Sequence, residues 1–158
     1  MDAYAAINGH EGAANLLLER KDVDPNRPED DGTTPLGCAA INGHEGVAKL
    51  LLGLEDVDPD RPDKYGQGPL GCAAINGYEG VVKLLLGRED VSPDRPDVDH
   101  QTPLACAVIN GHEEVVKLLL EREDVDPNLP DKQGCTPLSH ATSSGHGGIV
   151  KLLQARKS

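Results

Sequence analysis

A chain of 158 residues with no Phe or Trp, three Tyr and abundant Gly, Ala and Leu lacks the aromatics that usually fill the wide interior of a compact fold. Its small aliphatic residues suit a thin stack of short helices. A formal net charge of −12 weighs against nucleic-acid backbones and anionic membrane surfaces as main partners and favours a basic one.

In chain order, the first segment enters within a helix that Asn8-Gly9 ends, and the Leu16-Leu17-Leu18 run marks a second helix. The next segment, Thr33 to Gly66, carries the pattern in full. Thr34 is a good N-cap, because its hydroxyl accepts an orphan amide of the first turn. Pro35 follows at the first helical position, where its missing N–H costs nothing. Leu36, Cys38, Ala39 and Ala40 form a short helix that Asn42-Gly43 closes with a left-handed turn. A second helix runs from about Glu45 to Leu54, with Val47, Leu50 and Leu51 on its buried side. Glu45 precedes Lys49 by four residues, the favourable orientation for an ion pair, and Glu79–Lys83 and Glu113–Lys117 repeat it. Asp56 to Asp63 contains two X-Pro bonds, which make it an extended finger, and Gly66 marks the turn into the next unit.

This pattern recurs. Pro35, Pro69, Pro103 and Pro137 are spaced by 34 residues, as are Asn8-Gly9, Asn42-Gly43, Asn76-Gly77 and Asn110-Gly111, with Ser144-Gly145 closing the series. The reading is one repeat domain over 1–158, with units at about 1–32, 33–66, 67–100, 101–134 and 135–158. One helix pair cannot bury its own apolar face, so stability comes from stacking.

Thr34-Pro35-Leu36, Ala39-Ala40, Gly43-His44, Val47 to Leu52 and Asp56-Val57 follow one another as the landmarks of an ankyrin repeat do, and the chain resembles that family throughout. The Asp-Val-Asp-Pro finger and 34-residue step are similar to a variant found in long fungal arrays. The resemblance implies an all-α solenoid of antiparallel helix pairs joined by finger loops. Gly37, Gly71, Ala105 and Ser139 stand where the family often has His, so the hydrogen bonding of that His at the helix start is expected to be missing. His100 replaces the glycine of the finger turn (Gly32, Gly66, Gly134), and a positive φ there would strain it. Asp2 falls where inner units have buried Leu and reads as a cap of the first helix. Ser143-Ser144 and Gln154 give the last unit a polar finish.

Repeated reactive residues carry less chemistry than they first suggest. Cys38, Cys72 and Cys106 share one register position, and stacked helices about 10 Å apart hold them too far apart for disulfides or a shared metal. They read as small buried thiols, whereas Cys135 lies at a finger and reads as an exposed, oxidisable one. His10, His44, His112 and His146, with Tyr78 in the third unit, form another ladder. By resemblance these residues tie the turn between helices to the neighbouring finger. His140 stands where other units have Cys and reads as a packing residue. Asp56, Asp58, Asp60 and Asp63 lack the Gly and terminal Glu of a calcium loop. They read as an acidic edge compensated by Arg27, Arg61 and Arg95. With neither a nucleophile set nor an enclosing pocket legible, the sequence implies no catalysis, cofactor or metal.

Units two and three agree at roughly three quarters of their positions, and their differences gather at the finger tips. Framework residues must fit a neighbour, whereas tips meet only solvent or a ligand. In the ankyrin family the tips and the inner face of the first helices form a concave binding surface. The implied contact set is Ile41, Lys64, Tyr65, Gln67, Ile75, Val98, Asp99, His100, Gln101, Ile109, Lys132 and Gln133. Ile7, Ile41, Ile75 and Ile109 repeat along that groove, either as an exposed apolar stripe or packed between repeats. The expected function is a cytoplasmic, monomeric scaffold that binds another protein. Two alternatives are the sensing tail of a larger nucleotide-binding receptor and a structural or engineered array.

Overall fold

The computed structural model describes residues 3–20 and 22–156, in which five helix pairs follow one another and no strand occurs. The pairs are α1 (Ala3–Ile7) with α2 (Glu11–Leu18), α3 (Pro35–Asn42) with α4 (Glu45–Leu52), and α5 (Pro69–Asn76) with α6 (Glu79–Leu86). Next come α7 (Pro103–Ile109) with α8 (Glu113–Leu120) and α9 (Pro137–Ser143) with α10 (Gly147–Arg156). First helices pack on first helices in the order α1, α3, α5, α7, α9, and second helices form a parallel row behind them. Asp2 lies outside the described residues.

Local chemistry sets the boundaries. Thr34, Thr102 and Thr136 cap their helices, the hydroxyl accepting from Gly37 at 3.1 Å, Ala105 at 3.2 Å and Ser139 at 3.3 Å. The family's His is absent at the next turn, yet Ser139 supplies a bond of its own, donating to the Thr136 carbonyl at 2.7 Å. The second helix of unit two stops at Leu52, two residues before the expected end, and Leu54 lies in the following turn. The core is aliphatic and thin: Leu36, Val47, Leu51, Val82, Leu85, Leu104, Val116 and Leu119 are almost wholly buried. Leu50, expected in the core, is only half buried at its edge.

The His ladder joins units, but by a route the sequence did not indicate. His44 Nε2 bonds to the Ile7 carbonyl at 2.7 Å and His112 Nε2 to the Ile75 carbonyl at 2.8 Å, so the link runs to the first helix of the preceding unit and not to a finger. Each ring lies on the glycine of the preceding left-handed turn. A Cβ on Gly77, whose φ is 75°, would come within 2.5 Å of His112 Nδ1. Tyr78 covers Gly43 in the same way. A second clasp lies on the outer row, where Arg88 donates to the Leu52 carbonyl at 2.7 Å and Arg122 to the Leu86 carbonyl at 2.8 Å. Arg156 continues it to the Arg122 carbonyl at 2.9 Å. The Arg88 and Arg122 bonds satisfy carbonyls that α4 and α6 leave free at their C-termini, whereas the Arg156 acceptor lies in the turn after α8.

Two of the three expected helix ion pairs form. Glu79–Lys83 and Glu113–Lys117 form at 3.9 and 3.5 Å. Glu45 does not pair with Lys49; its carboxylate leans over Gly80 of the next unit. In the fingers, Arg20, Arg88 and Arg122 pair with Asp22, Asp90 and Asp124, each two residues on. Arg61 instead donates to the Asn26 carbonyl of the preceding finger at 3.3 Å, so the expected compensation by Arg27, Arg61 and Arg95 falls to other arginines.

Candidate functional site

The finger tips project beside the first-helix row. In each inner finger one carboxylate organises the tip: Asp63 Oδ1 accepts from the Tyr65 and Gln67 amides at 2.8 and 2.9 Å, and Asp97 Oδ1 from those of Asp99 and Gln101 at the same distances. Asp131 does the same for Gln133 and Cys135, both at 2.9 Å. Successive tips are joined by single backbone bonds from Lys64 to Asp31, Val98 to Tyr65 and Lys132 to Asp99. His100 takes a φ of 61°, the one positive value among the described non-glycine residues, so it keeps the shape of the turn and accepts the strain.

The predicted contact residues divide into three kinds. Lys64, Tyr65, Val98, Asp99, His100, Lys132 and Gln133 are exposed at the tips. Lys64 Nζ sits 5.0 Å from the Tyr65 ring centre, and Lys132 Nζ lies 3.6 Å from Asp99. Gln67 and Gln101 are half buried, and the Gln67 amide lies over Gly71 and against the Cys106 thiol, which draws it away from the surface. Along the helix row Ile7 and Ile41 are exposed at 40% and 38%, whereas Ile75 and Ile109 are half buried. The isoleucines therefore form a stripe that reaches the surface, more fully in the first two units.

A cleft of about 450 Å³ opens at that end, with Ile7, Ile41 and Cys38 among its apolar walls and Glu29, Asp30 and Asp31 along its edge. Sequence reasoning left these three acids out of the contact set, although Asp30 and Asp31 share the register of Lys64 and Tyr65. A larger cleft of about 640 Å³ lies between α2 and α4, lined in part by Leu18, Lys49, Leu50 and Leu54. Its cause is a missing filler. Leu54 stands in the register of Arg88 and Arg122, and where Arg122 spans the α6–α8 junction the comparable space is about 290 Å³.

The three ladder cysteines match expectation, whereas Cys135 and His140 do not. Cys38, Cys72 and Cys106 are buried and free. Burial, with nearby carboxylates secondary, pushes their thiols up to about 11, about 12 and about 12 respectively. Cys135 is only partly exposed, and His140 is more than a packing residue: its Nε2 lies 2.7 Å from Oδ2 of the buried Asp131. That hydrogen bond is the main influence holding the Asp131 carboxyl below the usual carboxylate range.

Paired helices stacked in two rows with fingers on one side define a helix–turn–helix repeat solenoid. A sequence model of ankyrin repeats in three copies matches residues 3–97 and 88–158, and the chain belongs to the ankyrin-repeat family. Comparison with curated proteins gives no match. Ankyrin repeats are generally protein–protein interaction modules. Among the described residues no helix is long and apolar enough to cross a membrane.

Proposed function

We propose that this chain is a non-catalytic scaffold that receives a basic, aliphatic-bearing segment of a partner protein in its concave groove. The observation that carries this reading is the cleft in which Ile7 and Ile41 lie beside Glu29, Asp30 and Asp31. An apolar floor supplies burial energy, and the acidic edge steers and orients a Lys- or Arg-bearing segment. Ile41, Ile75 and Ile109 are the anchors, Tyr65 adds a rigid amphipathic contact at the tips, and the net charge of −12 favours the same class of partner.

A displayed random-peptide library tests it. The chain should enrich peptides that combine basic and aliphatic residues. An Ile41→Lys/Ile75→Lys/Ile109→Lys variant with unchanged helical circular dichroism should bind those peptides at least about 100-fold more weakly, since loss of central anchors costs several kcal/mol. Enrichment that ignores charge, or equal binding by the folded variant, would remove the groove from consideration.

A further inference from the structure

Asp131, Cys135 and His140 lie together where the fourth finger meets α9, and one ligand atom from each falls within 4.8 Å of the others. Two departures from the repeat create this cluster. The register of Cys135 holds Thr33, Gln67 and Gln101 in earlier units, and that of His140 holds Tyr4, Cys38, Cys72 and Cys106. The carboxylate is common to the register, since Asp63 and Asp97 stand there too. Only the last unit pairs it with both a thiol and an imidazole.

The three groups are also held in place. Asp131 is buried, and the Gln133 and Cys135 amides fix its Oδ1, which leaves Oδ2 directed at His140 Nε2. The Cys135 amide is tied to the same carboxylate, so the thiol springs from anchored backbone. His140 sits on α9, the helix capped by Thr136. We propose that Asp131 Oδ2, Cys135 Sγ and His140 Nε2 form a three-residue site for a zinc-class divalent cation.

The donor set selects the metal. Thiolate with imidazole suits zinc and its neighbours, whereas magnesium and calcium take oxygen ligands. Tetrahedral zinc bonds of about 2.0 Å to oxygen and nitrogen and about 2.3 Å to sulfur place neighbouring ligand atoms roughly 3.3–3.6 Å apart. Closing the cluster on an ion therefore takes side-chain shifts of about an ångström or less, with Oδ2 and Nε2 moving slightly apart from 2.7 Å. On binding, Cys135 loses its thiol proton to solvent, and His140 carries its ring proton on Nδ1 so that Nε2 is free for the metal. Three protein ligands leave the fourth position to water. The buried thiols of Cys38, Cys72 and Cys106 lack this combination and stay outside the site.

The test is a cobalt titration of the reduced, metal-stripped full chain. One equivalent should bind, with a sulfur-to-metal charge-transfer band and the visible bands of tetrahedral cobalt, and zinc should displace it. Cys135→Gln/His140→Cys, which restores the residue pair of the third and fourth units, should keep its helical circular dichroism and lose both spectral features. Cys135→Gln alone leaves the Asp131–His140 bond in place; it should lose the thiolate band and bind zinc at least about 10-fold more weakly. Failure of the parent chain to retain one equivalent, cobalt bound without a thiolate band, or an unchanged spectrum in either variant would overturn the site.

Discussion

Asn26 donates its side-chain amide to the Asp56 carbonyl at 2.5 Å, and the oxygen of the same amide accepts from the Asp58 N–H at 3.1 Å. Both ends of one side chain clamp the next finger. Asp94, two units later in the same register, uses only half of its carboxylate: Oδ2 accepts from the Asp126 N–H at 2.7 Å, and the buried Oδ1 has no partner. Burial, with Asp126 and Asp124 nearby, raises its pKa despite that hydrogen bond. A folded value above the unfolded 3.8 means that the folded chain binds the proton more tightly. The resulting stability is present below the unfolded pKa and is lost as pH rises through the folded one. Asp94→Asn places a donor toward the Asp124 carbonyl, as Asn26 does toward Asp56. We expect it to stabilise the chain at neutral pH by a few tenths to about 1 kcal/mol, after solvent screening of a partly exposed group. Urea melts should show the gain shrinking in acid; a destabilised variant at neutral pH would mean the charge is harmless there.

His100→Gly should also stabilise. The φ of 61° is ordinary for Gly66 in the same register, where a Cβ would lie 3.0 Å from the Val98 amide nitrogen. A non-glycine residue in the left-handed region costs about 1–2 kcal/mol, offset in part by the entropy glycine loses on folding. The net gain should be about 0.5–1 kcal/mol in thermal or urea unfolding. Equal or lower stability would show that the imidazole makes a compensating contact.

The buried thiols predict an alkaline weakness. Cys72 and Cys106 titrate near 12 in the folded chain against 9.0 for a free thiol. Here too the folded state holds the proton more tightly, so stability is intact below the unfolded pKa and falls as pH rises above it. The slope approaches about 1.4 kcal/mol per pH unit for each thiol that stays protonated only when folded. Cys72→Ala/Cys106→Ala should lose less stability than the parent between about pH 9 and 11, measured by urea midpoints. Parallel curves would refute the assignment. Under native conditions a thiol reagent should label the partly exposed Cys135 before any of the three buried cysteines.

Leu54→Arg should close the open α2–α4 junction. An arginine there has Asp56 two residues on and the Leu18 carbonyl in the place that Leu52 holds for Arg88. A gain of about 0.5–1.5 kcal/mol is expected from the added hydrogen bonds. Crystallography of the variant would show the guanidinium bridging α2 and α4. An arginine left in solvent with unchanged stability would contradict this.

The helices were legible because their punctuation is local: a Thr cap, a Pro at the first position and a left-handed Gly act within a few residues. The Ile stripe was legible as a repeat but not in its exposure, which depends on how closely each first helix packs on the next. The acceptor of His44 depends on the same stacking geometry, so the sequence pointed to a finger where the structure has the Ile7 carbonyl. The outer arginine clasp left a visible trace in Arg20, Arg88, Arg122 and Arg156, but Leu54 interrupts the series and hides it. In the sequence Cys135 reads only as a finger thiol and His140 only as a packing residue, and their meeting at Asp131 emerges only when the finger folds back on α9.

Helices α3 and α5 share the sequence PLGCAAIN and bury the same six positions, from the proline to the second alanine. Excision of residues 67–100 would therefore bring together surfaces that already match, with His112 meeting the Ile41 carbonyl instead of that of Ile75. For a lineage carrying such a gene, length is a cheap variable. Unequal recombination can shorten or extend the groove by whole modules, changing the reach of the protein without the core having to be reinvented.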